Sequence, residues 1–234
     1  MSKLPGEERR RSIIQAARLA FSETGFRGTS IKDIAKRAGV STALLYAYFE
    51  NKEALYDAVL HSTYDEVSPT RAEMEALGPG TEALVLCVYD FLHSVLFVEK
   101  RRHAAEKKAF NKLLFRSMIG DTKFAYQHHQ NLEKYLADDF IVSCFRAGYQ
   151  AGEIIELPIA PKNLIQLTIQ VAMGLTLSHL SGKPIFDFDI PKRQLFEHAV
   201  LYCLRGIGLT SEAIEKYYQP KKLQAVVKRL HKLD

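Results

Sequence analysis

Along most of the chain, apolar residues return at i, i+3, i+4 and i+7, and no stretch sustains the two-residue alternation of a strand. This pattern predicts an all-α protein. A first helix is expected over residues 7–24, with Ile13, Ile14, Ala17, Ala20 and Phe21 as its buried stripe and Gly25 closing it. Ile31, Ile34, Ala35 and Ala38 then define a short second helix. Gly39 breaks it, and Ser41 is a good N-cap for a third. Two short helices joined by a Gly-containing turn describe a helix-turn-helix, whose second helix lies in the DNA major groove. Spacing alone fits an ordinary helical hairpin equally well.

Asn51 is placed to cap a fourth helix over residues 52–67, with Leu55, Val59, Ser62 and Val67 facing inward. Pro69 and Gly78-Pro79-Gly80 punctuate the chain beyond it. The division expected is a DNA-binding domain at 1–52, a bridging helix at 52–67, and a helical ligand-binding and dimerisation domain at 68–234. Within the latter, helices are predicted at 81–98, 100–118, 122–150, 161–181 and 191–208. The last two are apolar around most of their circumference, so each must bury more than one face. Leu167, Val171, Gly174, Leu175 and Ser178 mark one such face, and Leu195, Ala199, Tyr202 and Gly206 its counterpart. The small residues among them permit close helix approach. One face can serve the chain's own core and another a second subunit; burial of both within one subunit is the alternative. A basic amphipathic helix is predicted at about 220–233, with Leu223, Val226, Val227, Leu230 and Leu233 opposite Lys222, Lys228, Arg229 and Lys232. Packing on the chain's own body is the leading role for it, ahead of a membrane surface or an acidic partner.

Charge changes the picture for the N-terminal segment. The 234 residues carry 32 Lys and Arg against 27 Asp and Glu, a net +5. Residues 1–52 hold ten bases and five acids, and residues 210–234 six bases and three acids, which leaves the middle mildly acidic. A basic head on an acidic body points to a polyanion partner for the head. No apolar run reaches the ~18–20 residues of a membrane helix. The charged N-terminus lacks the apolar core of a secretory signal. Cys87, Cys144 and Cys203 are odd in number and far apart, as reduced core residues of a cytoplasmic protein would be. No nucleophile motif, phosphate-binding loop or His-x-x-x-His pair occurs, so neither an enzyme nor a cofactor or metal site is expected.

Phe21, Gly25, Thr29-Ser30, Ile34-Ala35, Ala38-Gly39-Val40-Ser41, Leu45-Tyr46, Tyr48-Phe49, Lys52-Glu53 and Leu55 together resemble the DNA-binding region of the TetR (tetracycline-repressor) family. The resemblance implies a repressor that binds a palindromic operator as a homodimer through a bundle of its last two long helices. It also implies a ligand cavity in the helical body. An architectural DNA-binding protein without a ligand, or an activator, is the alternative.

Carried onto this chain, the resemblance places Tyr46 and Tyr48 at phosphate-contacting positions. Thr29 and Ser30 open a helix whose N–H groups attract an anion, and Lys52 adds a cation. Thr42, Ala43, Leu44 and Ala47 face the groove, with Lys32 as a further contact. Many family members carry Gly where this chain has Ala43, and a larger polar residue at Ala47. This chain therefore offers few hydrogen bonds to base edges. For the ligand, the large apolar side chains Phe91, Phe97, Phe110, Met118, Phe140, Phe145, Tyr149 and Met173 are the candidate lining, which favours a hydrophobic or amphipathic molecule.

Overall fold

The computed structural model describes residues 6–62, 69–100, 104–120, 122–136, 139–180 and 184–233. In chain order the helices are α1 (Gly6–Gly28), α2 (Ile31–Ala38), α3 (Thr42–Tyr48), α4 (Lys52–His61), α5 (Pro69–Leu77), α6 (Thr81–Leu96), α7 (Ala104–Ile119), α8 (Lys123–Leu136), α9 (Asp139–Gln150), α10 (Pro161–His179), α11 (Lys192–Gly206), α12 (Ser211–Tyr217) and α13 (Pro220–His231). The described residues hold no strand, only an isolated antiparallel bridge between Ile154 and Leu209. None of their helices is long and apolar enough to cross a membrane. The all-α expectation holds.

Residues 1–66 and 105–131 form one compact unit, and residues 67–104 and 132–234 another. In the first, α1 is broken at Gly25 (φ 75°), and its stripe of Ile13, Ile14, Ala17 and Phe21 is buried. Leu55, Tyr56 and Val59 of α4 are fully enclosed with it; the predicted run beyond Ser62 to Val67 lies outside the described residues. An aromatic chain adds α7 and α8 to this core. The Tyr56 ring lies 4.9 Å from Phe21 and 5.4 Å from Phe124, which in turn lies 5.4 Å from Phe110. Such tilted and edge-on pairs contribute about 0.5–1.5 kcal/mol each beyond the area they bury. Ion pairs from Arg18 to Glu106 (3.5 Å) and from Lys123 to Asp57 (3.0 Å) flank it. The head is thus larger than three helices and a bridge.

In the second unit α6 is the central rod. Its sequence is apolar on every side, and all but a few of its residues are buried among α5, α9, α10, α11, α12 and α13. The short α5 and α12 are additions to the predicted elements. Pro69, taken as punctuation, instead occupies the first position of α5, where its missing N–H costs nothing. The run predicted at 122–150 is described as α8 and α9, with residues 137 and 138 outside the description.

The tail helix α13 uses its apolar face internally, because Leu223 and Val227 are core residues and Val226 and Leu233 pack against the core. Lys222 pairs with Glu82 at 3.1 Å and Arg229 with Glu73 at 2.5 Å. At its end, His231 Nε2 lies 3.0 Å from Oδ1 of the buried Asp90, whose Oδ2 accepts from the Thr70 hydroxyl at 2.5 Å. His231→Ala takes a hydrogen-bond partner from a buried carboxylate and should lower stability by about 1–3 kcal/mol. The urea midpoint measures it, and an unchanged midpoint removes this role for the tail.

Candidate nucleic-acid interface

The helix-turn-helix is built by local caps. Ser30 Oγ accepts from Asp33 N–H at 3.2 Å, while the Asp33 carboxylate accepts from the Ser30 hydroxyl at 2.5 Å and its N–H at 3.4 Å. This reciprocal box fixes the start of α2, and those bonds hold the Asp33 carboxyl below its ordinary range. The cap's contribution is therefore present above the ordinary carboxylate range and fades only as pH falls through that lowered value. At the other end Gly39 takes φ 65°, ψ 35°, a left-handed conformation that side chains resist. Its N–H donates to Lys36 O and the Val40 N–H to Ala35 O, which closes the turn in two bonds. Ser41 Oγ then accepts from Leu44 N–H at 3.1 Å and starts α3.

Leu45 and Phe49 anchor α3 in the core, at 0% and 4% exposure, and their burial decides which face remains outside. That face carries Ala43, Leu44, Tyr46 and Ala47, all exposed, with Thr42 and Tyr48 half-buried at its margins. Leu44 at 40% and Tyr46 at 51% exposure are large side chains left in water. Lys32 is exposed on α2. Lys52 holds its ammonium 4.4 Å above the Phe26 ring, and Arg10 lies over Phe49. Six of the ten sequence-derived DNA contacts therefore lie on the outer face of α3 or its margins (Thr42, Ala43, Leu44, Tyr46, Ala47 and Tyr48), and Lys32 is exposed on the preceding helix.

Thr29 and Ser30 are used differently from the expectation. Thr29 is buried, and its hydroxyl is tied to Gly25 O at 2.7 Å, Ala20 O at 3.2 Å and Thr24 Oγ1 at 2.6 Å. It clamps the end of α1 to the start of α2. Ser30's hydroxyl is engaged in the cap. Sequence reasoning missed Thr24 as the partner of that clamp, and the bidentate Arg37–Glu23 pair (3.0 and 2.6 Å) that fixes α2 on α1. Nothing local in the sequence distinguishes such a hydroxyl from a phosphate contact.

The residues named for dimerisation divide. Leu167, Gly174, Tyr202 and Gly206 are exposed on α10 and α11 and Val171 is half-buried, whereas Leu175, Ser178, Leu195 and Ala199 face the unit's own core. Leu177 and Leu201 join the exposed set instead. The shift arises because α10 and α11 are apolar around most of their circumference, so the period did not identify the outer face.

The candidate ligand lining also divides. Phe110 packs against Phe124 and His128 within the first unit, and Met118 is exposed there. Burial, with a smaller contribution from His129, pushes the His128 ring down to about 4, so it is neutral at physiological pH. In the second unit Phe97 and Phe145 are core residues, and Phe91, Phe140, Tyr149 and Met173 pack against that core. Only Phe145 and Tyr149 of the eight line the groove of about 400 Å³ between the end of α9 and the following loop. Val142, Leu157, Ile159, Ala160 and Pro161 complete its apolar side, and Arg146 and Glu156 supply charge. Burial, then the Glu156 carboxylate, raises the Tyr149 phenol.

Residues 13–59 match the family model described as "Bacterial regulatory proteins, tetR family". The regulator AcrR of Shigella flexneri is 29% identical over 196 residues, covering 82% of this chain and 86% of AcrR. RutR of Escherichia coli K12 is 34% identical over 122 residues, 49% of this chain and about half (55%) of RutR. Among solved structures, NalD, the secondary repressor of the MexAB-OprM multidrug efflux pump in Pseudomonas aeruginosa, aligns with TM-score 0.61 at 20% identity, over 87% of this chain and 98% of NalD. FadR of Bacillus subtilis in complex with stearoyl-CoA aligns with TM-score 0.60 at 17% identity, over 84% of this chain and 98% of FadR. At these identities the structures speak to the fold.

Proposed function

Because the chain belongs to the TetR family of bacterial transcriptional regulators, we propose that it works as a dimeric, cytoplasmic repressor released from a palindromic operator by a hydrophobic or amphipathic inducer. It is a regulator and not an enzyme. The observation that carries the operator reading is the outer face of α3. A turn closed by Gly39 and Ser41 presents Ala43, Leu44, Tyr46 and Ala47 to solvent, on a head whose first 52 residues are net basic. The functional division proposed is the DNA reader at 1–52, with the bridging helix after it and ligand binding and dimerisation in 68–234.

Base recognition on this face is mostly apolar. Thr42 offers a hydroxyl to base edges, while Ala43, Leu44 and Ala47 offer contacts of the kind a thymine methyl accepts. Tyr46, Tyr48 and Lys52 set register through phosphates, and sequence-dependent DNA shape supplies the remaining discrimination. A dimer through the exposed residues of α10 and α11 presents two such faces, and tight binding needs both to meet half-sites on one side of the duplex. An inducer that binds better to a body whose heads are wrongly spaced must weaken DNA binding, and DNA weakens the inducer by the same factor. The groove at Phe145 and Tyr149, apolar with one arginine and one glutamate at its edge, is the candidate for that ligand.

Tyr46→Phe and Lys52→Ala test the phosphate assignment. Each should weaken duplex binding evenly across sequences, and the lysine variant should lower the slope of log K against log salt by about one. Operator affinity and salt dependence unchanged in both variants would remove these residues from the interface.

A further inference from the structure

The segment joining α10 to α11 carries an apolar surface that the fold itself does not use. Ile185, Phe186 and Phe188 are 64%, 67% and 49% exposed within four residues. Clustered large apolar side chains in water mark interaction sites far more often than scattered ones do. The segment is also fixed at both ends. The Ile185 N–H donates to Ser178 O at 2.8 Å, on the last turn of α10, and Ser178 is itself buried. Ile190 packs against the core just before α11 begins. Between these anchors the Asp187 carboxylate accepts from the Asp189 N–H at 3.0 Å, and Asp189 turns the chain at φ 53°. This is an Asx turn, which a short acidic side chain supports in the left-handed region. The turn holds the two phenylalanines outward between two points at which the chain touches its own core.

The exposed apolar residues of the two helices that the turn joins tell what covers them. Leu177 at 47% exposure lies on the last turn of α10, and Leu201 and Tyr202 at 36% and 68% lie on α11. These belong to the face assigned to the second subunit, and the turn is the covalent link between the two helices that make it. We propose that residues 185–188 form a dimerisation knob, seated on a second copy of this chain and continuous with the α10–α11 interface; this rests on the dimer reading under Proposed function. Asp187 and Asp189 on the same turn count against an anionic lipid surface as its occupant. In a two-fold dimer the patch enters twice, so each substitution removes two contacts.

Sedimentation equilibrium of the full chain tests this with two variants. Phe186→Ser/Phe188→Ser should raise the dimer dissociation constant at least tenfold, with helical content by circular dichroism unchanged because both side chains are exposed. Tyr202→Glu, on the helix face, tests the dimer reading separately and should also dissociate the dimer. A wild type that is monomeric at micromolar concentration overturns both ideas. A dimer broken by Tyr202→Glu yet indifferent to the knob variant overturns the knob alone. Should the double variant lose helicity, Phe186→Ser by itself is read in the same way, and less than a threefold change in a folded protein defeats the proposal.

Discussion

Ala47→Glu is expected to weaken duplex binding by on the order of 100-fold, about 2.7 kcal/mol, while the fold stays within about 0.5 kcal/mol of the parent. The side chain at 47 is exposed on the outer face of α3, and glutamate is nearly as good a helix former as alanine. Nothing in the folded head therefore resists the change. In a major groove, by contrast, a carboxylate at this position meets the negative potential of two phosphate strands, and like charges so placed cost several kcal/mol. Fluorescence anisotropy with an operator fragment measures the first quantity and urea denaturation the second. Equal affinity in a variant of parental stability would mean that this face does not meet DNA.

The second large effect lies in the other unit, at Gly208. A Cβ there would stand 2.6 Å from the backbone oxygen of Ile155, at φ +94°, where side chains are strained regardless of space. The Gly208 carbonyl accepts from Ile155 N–H at 2.8 Å, and Thr210 N–H donates to Glu153 O at 3.0 Å. Glu153's carboxylate, which Lys216 and Tyr217 bind at 2.9 and 2.8 Å, extends the tie to α12. Alanine must push two backbones apart and undo this pairing, so Gly208→Ala should destabilise by about 3 kcal/mol or more. Gly206, two residues earlier in α11, has nothing within 4 Å of the same position. Gly206→Ala should be neutral or slightly stabilising in the subunit. The two denaturation midpoints, compared side by side, test the contact; similar values for both would contradict it.

The head was legible because its signals are local. Gly39, Ser41 and Asn51 each act on backbone within four residues, and each appears in the structure in the role its position predicts. Which side of α3 is outside followed from Leu45 and Phe49. The features left open by the sequence depend on contacts far apart in the chain. Thr29 is the exception: its partners Ala20, Thr24 and Gly25 lie only four to nine residues back, but on the preceding helix, so a phosphate contact and a clamp read alike. Phe110 looked like pocket lining because its burial depends on Phe124 and, through it, Tyr56. For α10 and α11, apolar around most of their circumference, only packing separates Leu175 and Leu195 in the core from Leu177 and Leu201 outside. The tail was ambiguous for the same reason; the fold resolves it by placing Leu223 and Val227 in the core, with Asp90 holding His231.

If two copies of the α3 face read one operator, the purified full chain must pick that operator out of a mixture. Selection of duplexes from random or genomic fragments, followed by titration of the selected site at several salt concentrations, puts this to the most direct test. The expected result is a single palindrome whose half-site centres lie about one helical turn or a multiple of it apart. Affinity for it should fall steeply with salt and be lost in Ala47→Glu. Enrichment of no common sequence, or of a site bound equally well by Ala47→Glu, would contradict the two-headed reading.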